Sequence, residues 1–215
     1  MDVIAHAYEN PRPELQARIP SDAERILDLG CSSGTLGAAL KQRQSCSVVG
    51  IEVDGDYVVA AQERLDDVLH ADLEAVNLAA LGRFDCVVAG DVLEHLVDPW
   101  RVLRDAVAVL EPGGTAVVSL PNVRYWETFW QIGVRGTFPR RTLGIFDRTH
   151  LRWFTLRDAY DLFEQAGLEV VAVDRQYRFG PTGPVRRSRL LGVLPGRTFL
   201  TFQHVLTGVR TAGAA

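Results

Sequence analysis

Cysteine is scarce in this chain: Cys31, Cys46 and Cys86 are the only three. An odd number without C-x-x-C spacing excludes a disulfide framework and a structural zinc site, and buried reduced thiols are expected instead. Any run of 18 or more apolar residues is also missing, so no membrane-spanning helix is expected. Residues 1–15 (MDVIAHAYENPRPEL) carry acids and prolines where a secretory leader needs a continuous apolar stretch, and cytoplasmic residence is the expectation that follows. There is no internal repeat and no low-complexity segment. A large excess of one charge is absent too: the net charge is −4, which argues against a general nucleic-acid binder.

What the chain does have is material for one ordinary globular domain, with 215 residues, 47% hydrophobic and 23% charged. Its charge is unevenly spread. Residues 1–120 hold 9 Lys+Arg against 20 Asp+Glu, a net of −11, and residues 121–215 hold 14 against 7, a net of +7. The C-terminal part therefore either meets something anionic or carries a solvated basic face.

Apolar runs alternate with helical segments. Residues 25–29 (RILDL) read as a buried strand entering a Gly/Ser turn and a helix over 35–42. Residues 47–52 form a second strand, after which Asp54 or Asp56 caps a helix; residues 68–71 form a third strand and 84–89 a fourth. Asp98-Pro99 supplies a cap and a first-turn proline for a helix over 100–110, which stops at Glu111-Pro112-Gly113-Gly114 before a fifth strand over 115–120. Strands joined through helices imply a doubly wound, mostly parallel α/β sheet with right-handed crossovers and helices on both faces. Residues 121–154, rich in Trp, Phe, Gly and Arg, read as a substrate loop or lid. Thr155 with Asp158 opens another helix that ends at Ala166-Gly167, residues 168–175 form a sixth strand, and residues 199–208 form the last. Residues 180–198 are turn-rich and basic.

A ligand is expected outside the carboxyl ends of the parallel strands, where Gly30-Cys31-Ser32-Ser33-Gly34 turns from strand to helix. A dinucleotide is poorly served there. Counted from Gly30, the second glycine of G-x-G-x-x-G is Ser32, and the third is displaced by one. An adenosyl group joined to an amino acid needs no phosphate cradle, only a turn free of Cβ atoms, which Gly30 and Gly34 supply. Glu52, 22 residues beyond Gly30, stands where an acid accepts from both ribose hydroxyls.

The segment ILDLGCSSG resembles motif I of class I S-adenosylmethionine (SAM) dependent methyltransferases, usually [DE]-x-G-x-G-x-G, with Ser32 in place of the middle glycine. Asp72 resembles the family acid that faces the adenine amino group, and residues 84–96 and 110–120 resemble the fourth- and fifth-strand motifs. Residues 8–14, 120–126 and 144–155 are similar to a bacterial group of small methyltransferases that often accompany glycosyltransferases or secondary-metabolite enzymes. The resemblance implies a seven-stranded sheet of order 3-2-1-4-5-7-6, with the last two strands antiparallel. It also implies a single domain divided into an N-terminal cap (1–24), a SAM-binding core (25–120), a substrate loop (121–154) and a last helix with the strand pair (155–215). Cofactor contacts are then expected from Tyr8, Arg12, Asp28, Gly30, Cys31, Ser32, Gly34, Glu52, Val53, Asp72, Leu73, Gly90 and Val92.

Methyl transfer from a sulfonium is an in-line displacement that needs alignment, exclusion of water and often removal of a proton. If a helical turn follows the fourth strand, Asp91, Glu94 and His95 share one face, and His150 joins them if the loop folds over the sheet. Two chemical readings stay open. His95 or His150 is a general base for a hydroxyl, or Asp91, Glu94, His95 and His150 hold Mg²⁺ or another divalent metal that lowers the hydroxyl's pKa. The second resembles the acid-x-x-Glu-His plus distant His of small-RNA 2′-O-methyltransferases and ubiquinone-pathway O-methyltransferases, with Asp91 in place of a glutamate. A third reading has Glu-His simply fixing the turn.

Trp126, Phe129, Trp130, Phe138, Phe146, Trp153 and Phe154 either line an acceptor pocket or pack the lid. Arg135, Arg140, Arg141, Arg148 and Arg152 can clamp a phosphate or carboxylate. The mix of arginines and leucines over 185–202 allows contact with an anionic membrane surface. The reading reached is O-methylation of a small-molecule or glycan acceptor, sugar-containing or polyketide-like, with an anionic handle and no nucleic acid. The alternatives are N- or C-methylation of a small metabolite, a non-catalytic SAM-binding partner of a biosynthetic enzyme, and a nicotinamide-dependent reductase.

Overall fold

The computed structural model describes residues 9–178 and 185–211. Short apolar runs bounded by turn residues form β1 (Arg25–Leu29), β2 (Ser47–Glu52), β3 (Asp67–His70), β4 (Phe84–Gly90) and β5 (Leu110–Pro121). These pair in parallel in the order β3-β2-β1-β4-β5. Helix α1 (Pro13–Gln16) precedes them; α2 (Thr35–Arg43), α3 (Gly55–Gln62) and α4 (Pro99–Ala108) are the crossovers that parallel pairing requires. Beyond them come α5 (Leu156–Gln165), β6 (Leu168–Arg178), β7 (Val185–Arg187), α6 (Arg189–Val193), α7 (Arg197–Leu200) and β8 (Thr201–Arg210). β8 lies antiparallel between β5 and β6.

Capping side chains set the helix starts. Asp54 Oδ1 accepts from Asp56 N at 2.9 Å, Asp98 Oδ1 from Arg101 N at 3.0 Å, and Thr155 and Asp158 form a reciprocal capping box. Each such cap contributes about 1 kcal/mol.

The expected order 3-2-1-4-5-7-6 is kept, with β8 in the place of the seventh strand, and an eighth strand is added. β7 pairs antiparallel with the outer edge of β6 through Gln176↔Arg187, Tyr177↔Arg186 and Arg178↔Val185. It has three residues in a turn-rich basic stretch, too few to show a period of two, and only its backbone bonds to β6 define it. Another difference concerns Glu111-Pro112-Gly113-Gly114. Helix α4 stops earlier, at Ala108, and β5 already begins at Leu110, paired with Phe84; a register shift between Phe84 and Cys86 absorbs the Pro-Gly-Gly segment.

Helices cover both faces. Leu36, Leu40, Ala61 and Leu65 pack with Ile26, Val48, Val88, Val117 and Val205 on one side. Val102, Leu103, Leu162 and Phe163 pack with Leu27, Leu29, Val87, Val118 and Leu206 on the other. Alternate residues of β1 thus enter opposite cores, as a doubly covered strand requires. Cys31 and Cys86 are buried, Cys46 is half-buried, and all three are free thiols. Among the described residues no helix is long and apolar enough to cross a membrane. Because β1 lies between β2 and β4, the chain reverses direction of winding there, and the segments leaving these three strands diverge around a crevice.

Candidate functional site

The turn after β1 is held in an unusual shape by its neighbours. Gly30 N and Cys31 N both donate to Ile51 O, at 2.8 and 3.0 Å, which ties the turn to the end of β2. Gly30 has φ +66°, and a Cβ there would sit 2.6 Å from Val92 Cγ2. Only glycine fits without moving Val92. Ser32, which stands where the methyltransferase motif has its middle glycine, adopts a glycine-like φ of +48°. Its strain, about 1–2 kcal/mol for an L-residue, is opposed by a charge-assisted bond: Ser32 N donates to Glu52 Oε2 at 2.8 Å. Glu52 Oε1 accepts from Val53 N at 2.9 Å and Asp54 N at 3.0 Å. Three of about four acceptor sites on this carboxylate are therefore taken by backbone, which leaves capacity for about one hydroxyl where two were expected.

Around this turn stand the other residues expected at the cofactor. Asp28 is buried at the base, its carboxyl pushed up to about 7 by burial, with Arg12 opposing and Glu52 adding to the shift. Val53 is exposed, Asp72 is exposed with Oδ1 accepting from Glu74 N at 2.8 Å, and Leu73 is buried beside it. Gly90 and Val92 flank the turn from β4. A crevice with a carboxylate at its rim fits an adenosyl ligand, but the glycines do not open it as expected: a Cβ at Gly30 would meet Val92, and one at Gly34 would meet Leu65 and Ala61, so both serve packing of the turn. Arg12 takes a different position. Its guanidinium reaches Gly90 O at 3.5 Å, Ser119 Oγ at 3.0 Å and Asp91 Oδ2 at 3.0 Å, so it braces the ends of β4 and β5. Burial alone would lower its pKa, and Asp91 and Glu14 outweigh that and hold it charged. Tyr8 lies outside the described residues.

The acceptor side is built from two distant segments. After β4 the chain enters Asp91 at φ +59° and then a single 3₁₀ turn, Leu93–His95. The left-handed residue removes Asp91 from the helical face expected for it. Its carboxylate accepts instead from Ser119 Oγ at 2.8 Å and from Gln203 Nε2, and pairs with Arg12. Glu94, His95 and His150 do come together, each offering one ligand atom within 4.8 Å of the others. His150 Nε2 is 4.0 Å from Glu94 Oε1, and the two imidazoles meet edge-on at 4.7 Å. The segment carrying His150 is fastened to the 3₁₀ turn, with Leu151 N and Arg152 N both donating to Glu94 O at 2.8 and 3.0 Å.

Glu94 is 1% exposed, and neither carboxyl oxygen has a hydrogen-bond partner among the described residues. Burial, reinforced by Asp91, drives its pKa well above the usual carboxylate range. An orphaned buried carboxyl is costly unless a proton or a cation satisfies it. Burial, and then His95, lower the pKa of His150. Both imidazoles are oriented through Nδ1: His150 donates to Ile145 O at 3.3 Å, and His95 meets Thr149 Oγ1 at 3.0 Å. One carboxylate and two imidazoles form a donor set that suits a divalent cation, and Glu94's open oxygens fit that role.

Ser119 and Gln203, which hold Asp91, and Thr149 with Asp147 went unread in the sequence. For the last pair a weak signal exists, since Asp147 Oδ1 accepts from Thr149 N at 2.9 Å in an Asx turn, a turn that aspartate favours. Gln203 shows none, because it arrives from β8 across the sheet. The aromatic residues of the loop separate into two groups. Phe146 and Phe154 are buried and Tyr125 OH donates to Arg178 O at 2.9 Å, so they anchor the segment. Trp126, Phe129, Trp130, Phe138 and Trp153 are exposed. Arg141 pairs with Glu127 at 2.6 Å, Arg152 binds Val97 O at 3.1 Å, and Arg124 is exposed but lies over the Phe199 ring at 5.2 Å, which leaves Arg135, Arg140 and Arg148 as further exposed arginines of the loop.

Comparison with known proteins shows the family and the fold. Residues 4–173 match the family described as "Methyltransferase domain". A ubiquinone biosynthesis O-methyltransferase of Cereibacter sphaeroides (strain ATCC 17025 / ATH 2.4.3) is 31% identical over 163 residues, which is 74% of this chain and 65% of that protein. The chain thus spans just under two thirds of that relative's length. Among solved structures, a SAM-dependent methyltransferase from Thermotoga maritima, a possible histamine N-methyltransferase, superposes with TM-score 0.68 at 18% identity, over 97% of this chain and 91% of that one. A SAM-dependent methyltransferase from Archaeoglobus fulgidus does so with TM-score 0.68 at 15% identity, over 96% and 94%. The chain belongs to the SAM-dependent methyltransferase family of the class I, Rossmann-like fold.

Proposed function

We propose that this protein transfers the methyl group of SAM to a hydroxyl of a small-molecule acceptor, with Glu94, His95 and His150 as its acceptor-side machinery. The observation that carries this is the buried Glu94 carboxyl, unpartnered and flanked by two histidines, placed two residues after the Val92 that packs on the Gly30 turn. SAM, when bound, supplies an electrophilic methyl group, which needs no further activation. A hydroxyl does need it, because an alcohol is a weak nucleophile until its proton is removed or its pKa lowered. Glu94, His95 and His150 would hold a divalent cation such as Mg²⁺, which supplies Lewis acidity toward the acceptor oxygen. Glu52 and the Gly30 turn orient the adenosyl end, and the anchored segment 121–154 excludes water. A second reading, in which a histidine itself takes the proton, draws on His150, which burial keeps neutral and so able to accept one.

For the acceptor we assign a sugar-containing or secondary-metabolite hydroxyl, on the strength of the exposed aromatic faces of Trp126, Trp130 and Trp153, which suit sugar or planar rings. The exposed Arg135, Arg140 and Arg148 suit an anionic handle on it. The name of the Cereibacter relative favours a phenol-type hydroxyl of a quinone precursor as the second choice. Chelation is the test of the site. Removal of divalent ions should abolish turnover while leaving binding of S-adenosylhomocysteine nearly unchanged, and readdition should restore it. Full turnover after chelation, with a pH–rate limb near a histidine pKa, would transfer the role to a metal-free base.

A further inference from the structure

His95 is held by Thr149, a residue of the 144–155 segment to which the sequence assigned no role. Thr149 Oγ1 lies 3.0 Å from His95 Nδ1 and donates its hydroxyl proton to Asp147 Oδ1 at 2.6 Å. A hydroxyl has one proton. With that proton committed to Asp147, Oγ1 offers His95 only lone pairs, so Nδ1 must be the protonated nitrogen and the imidazole lone pair must lie on Nε2. Asp147 is itself fixed, since its Oδ1 also accepts from Thr149 N at 2.9 Å and its N donates to Gly144 O at 2.9 Å. His150 reaches the same tautomer by another route, its Nδ1 facing the Ile145 carbonyl, which can only accept. The segment 144–152 therefore delivers His150 and fixes the tautomer of His95, which lies 54 residues before Thr149.

We propose that Thr149, oriented by Asp147, is a positioning residue that locks His95 in the Nδ1–H tautomer and so reserves Nε2 for the acceptor-side site. The consequence for that site rests on the function proposed above; the tautomer itself does not. Partners of this kind, one bond removed from a ligating or proton-accepting imidazole, set both its orientation and its basicity. Thr149 is exposed, so Thr149→Val removes the hydroxyl at nearly constant shape, and Thr149→Ser restores it.

The test uses the full chain with ¹⁵N-labelled histidine, and long-range ¹H–¹⁵N spectra at about pH 8.5, where imidazoles are neutral. Wild type and Thr149→Ser should show His95 protonated at Nδ1. Thr149→Val, and Asp147→Ala as a second variant, should show a mixture containing the Nε2–H form. In parallel, Mn²⁺ affinity should fall about 10–100-fold in Thr149→Val and recover in Thr149→Ser, the range expected for loss of an outer partner of a metal-binding histidine. An Nε2–H wild type, or an Nδ1–H Thr149→Val, overturns the proposal. A wild type that binds no Mn²⁺ while showing the expected tautomers overturns the cation site proposed above and leaves Thr149's role standing.

Discussion

Replacing Glu52 by glutamine changes one acceptor into a donor and leaves the side-chain shape alone, so its effect falls on three backbone N–H groups. The amide oxygen can keep the bonds from Val53 N and Asp54 N, now 2.9 and 3.0 Å long at Oε1. The amide nitrogen then faces Ser32 N, now 2.8 Å from Oε2, donor against donor. A hydrogen bond to a charged group contributes about 1.5–3 kcal/mol, and Ser32 is half-buried, so water recovers part of the loss. A destabilisation of about 2 kcal/mol follows for the free protein, which for a domain of this size lowers Tm by roughly 4–8 °C. Because this bond opposes the left-handed strain at Ser32, the turn itself should relax without it, and S-adenosylhomocysteine binding should weaken about tenfold or more. Urea unfolding of the free protein and calorimetry with S-adenosylhomocysteine measure the two effects separately. A variant with an unchanged urea midpoint and unchanged affinity would show that Glu52 neither holds the turn nor serves the ligand.

Gly30→Ala combines a positive φ with a Cβ 2.6 Å from Val92 Cγ2, and a loss of roughly 2–4 kcal/mol in urea unfolding is expected from strain and overpacking together; a near-neutral variant would refute the tight packing of Val92 on the turn. His204 is buried on β8 with neither ring nitrogen partnered among the described residues, and burial, with Arg175 adding, lowers its pKa to about 4. Its folded-state pKa lies below the unfolded value near 6.5, so the unfolded chain takes up a proton that the folded one does not. Stability is therefore complete above about pH 6.5 and falls toward pH 4 by up to roughly 3 kcal/mol. His204→Leu should flatten that slope in urea unfolding measured from pH 7 down to pH 4.5, and an unchanged slope would assign the acid sensitivity elsewhere.

Much of the fold is legible because local chemistry and long-range packing agree. Asp98-Pro99 and Thr155 with Asp158 favour helix starts through local capping, and buried parallel strands such as Ser47–Glu52 read as nearly continuous apolar runs. The glycine turn was legible for the same reason, since its conformation is local. Asp91 was misplaced because helical spacing after β4 presumes a helix, and the backbone there is left-handed at Asp91 before a single 3₁₀ turn. No periodicity encodes that. The bond between Thr149 and His95, and the one between Gln203 and Asp91, join segments 54 and 112 residues apart, and such pairs become visible only once the sheet order has brought them together. β7 exists through its pairing with β6 alone.

Whether this protein methylates oxygen is decided most directly by incubating it with SAM carrying a CD₃ methyl group and a panel of hydroxylated acceptors, and then locating the label by mass spectrometry. Sugars, polyketide-like phenols and quinone-precursor phenols belong in the panel, each with and without an anionic group. The expected product is a CD₃ ether on one acceptor class, formed by wild type and lost in Glu94→Gln while S-adenosylhomocysteine still binds. A CD₃ group on nitrogen or carbon, or an ether formed equally well by Glu94→Gln, would contradict the assignment of Glu94, His95 and His150 to hydroxyl activation.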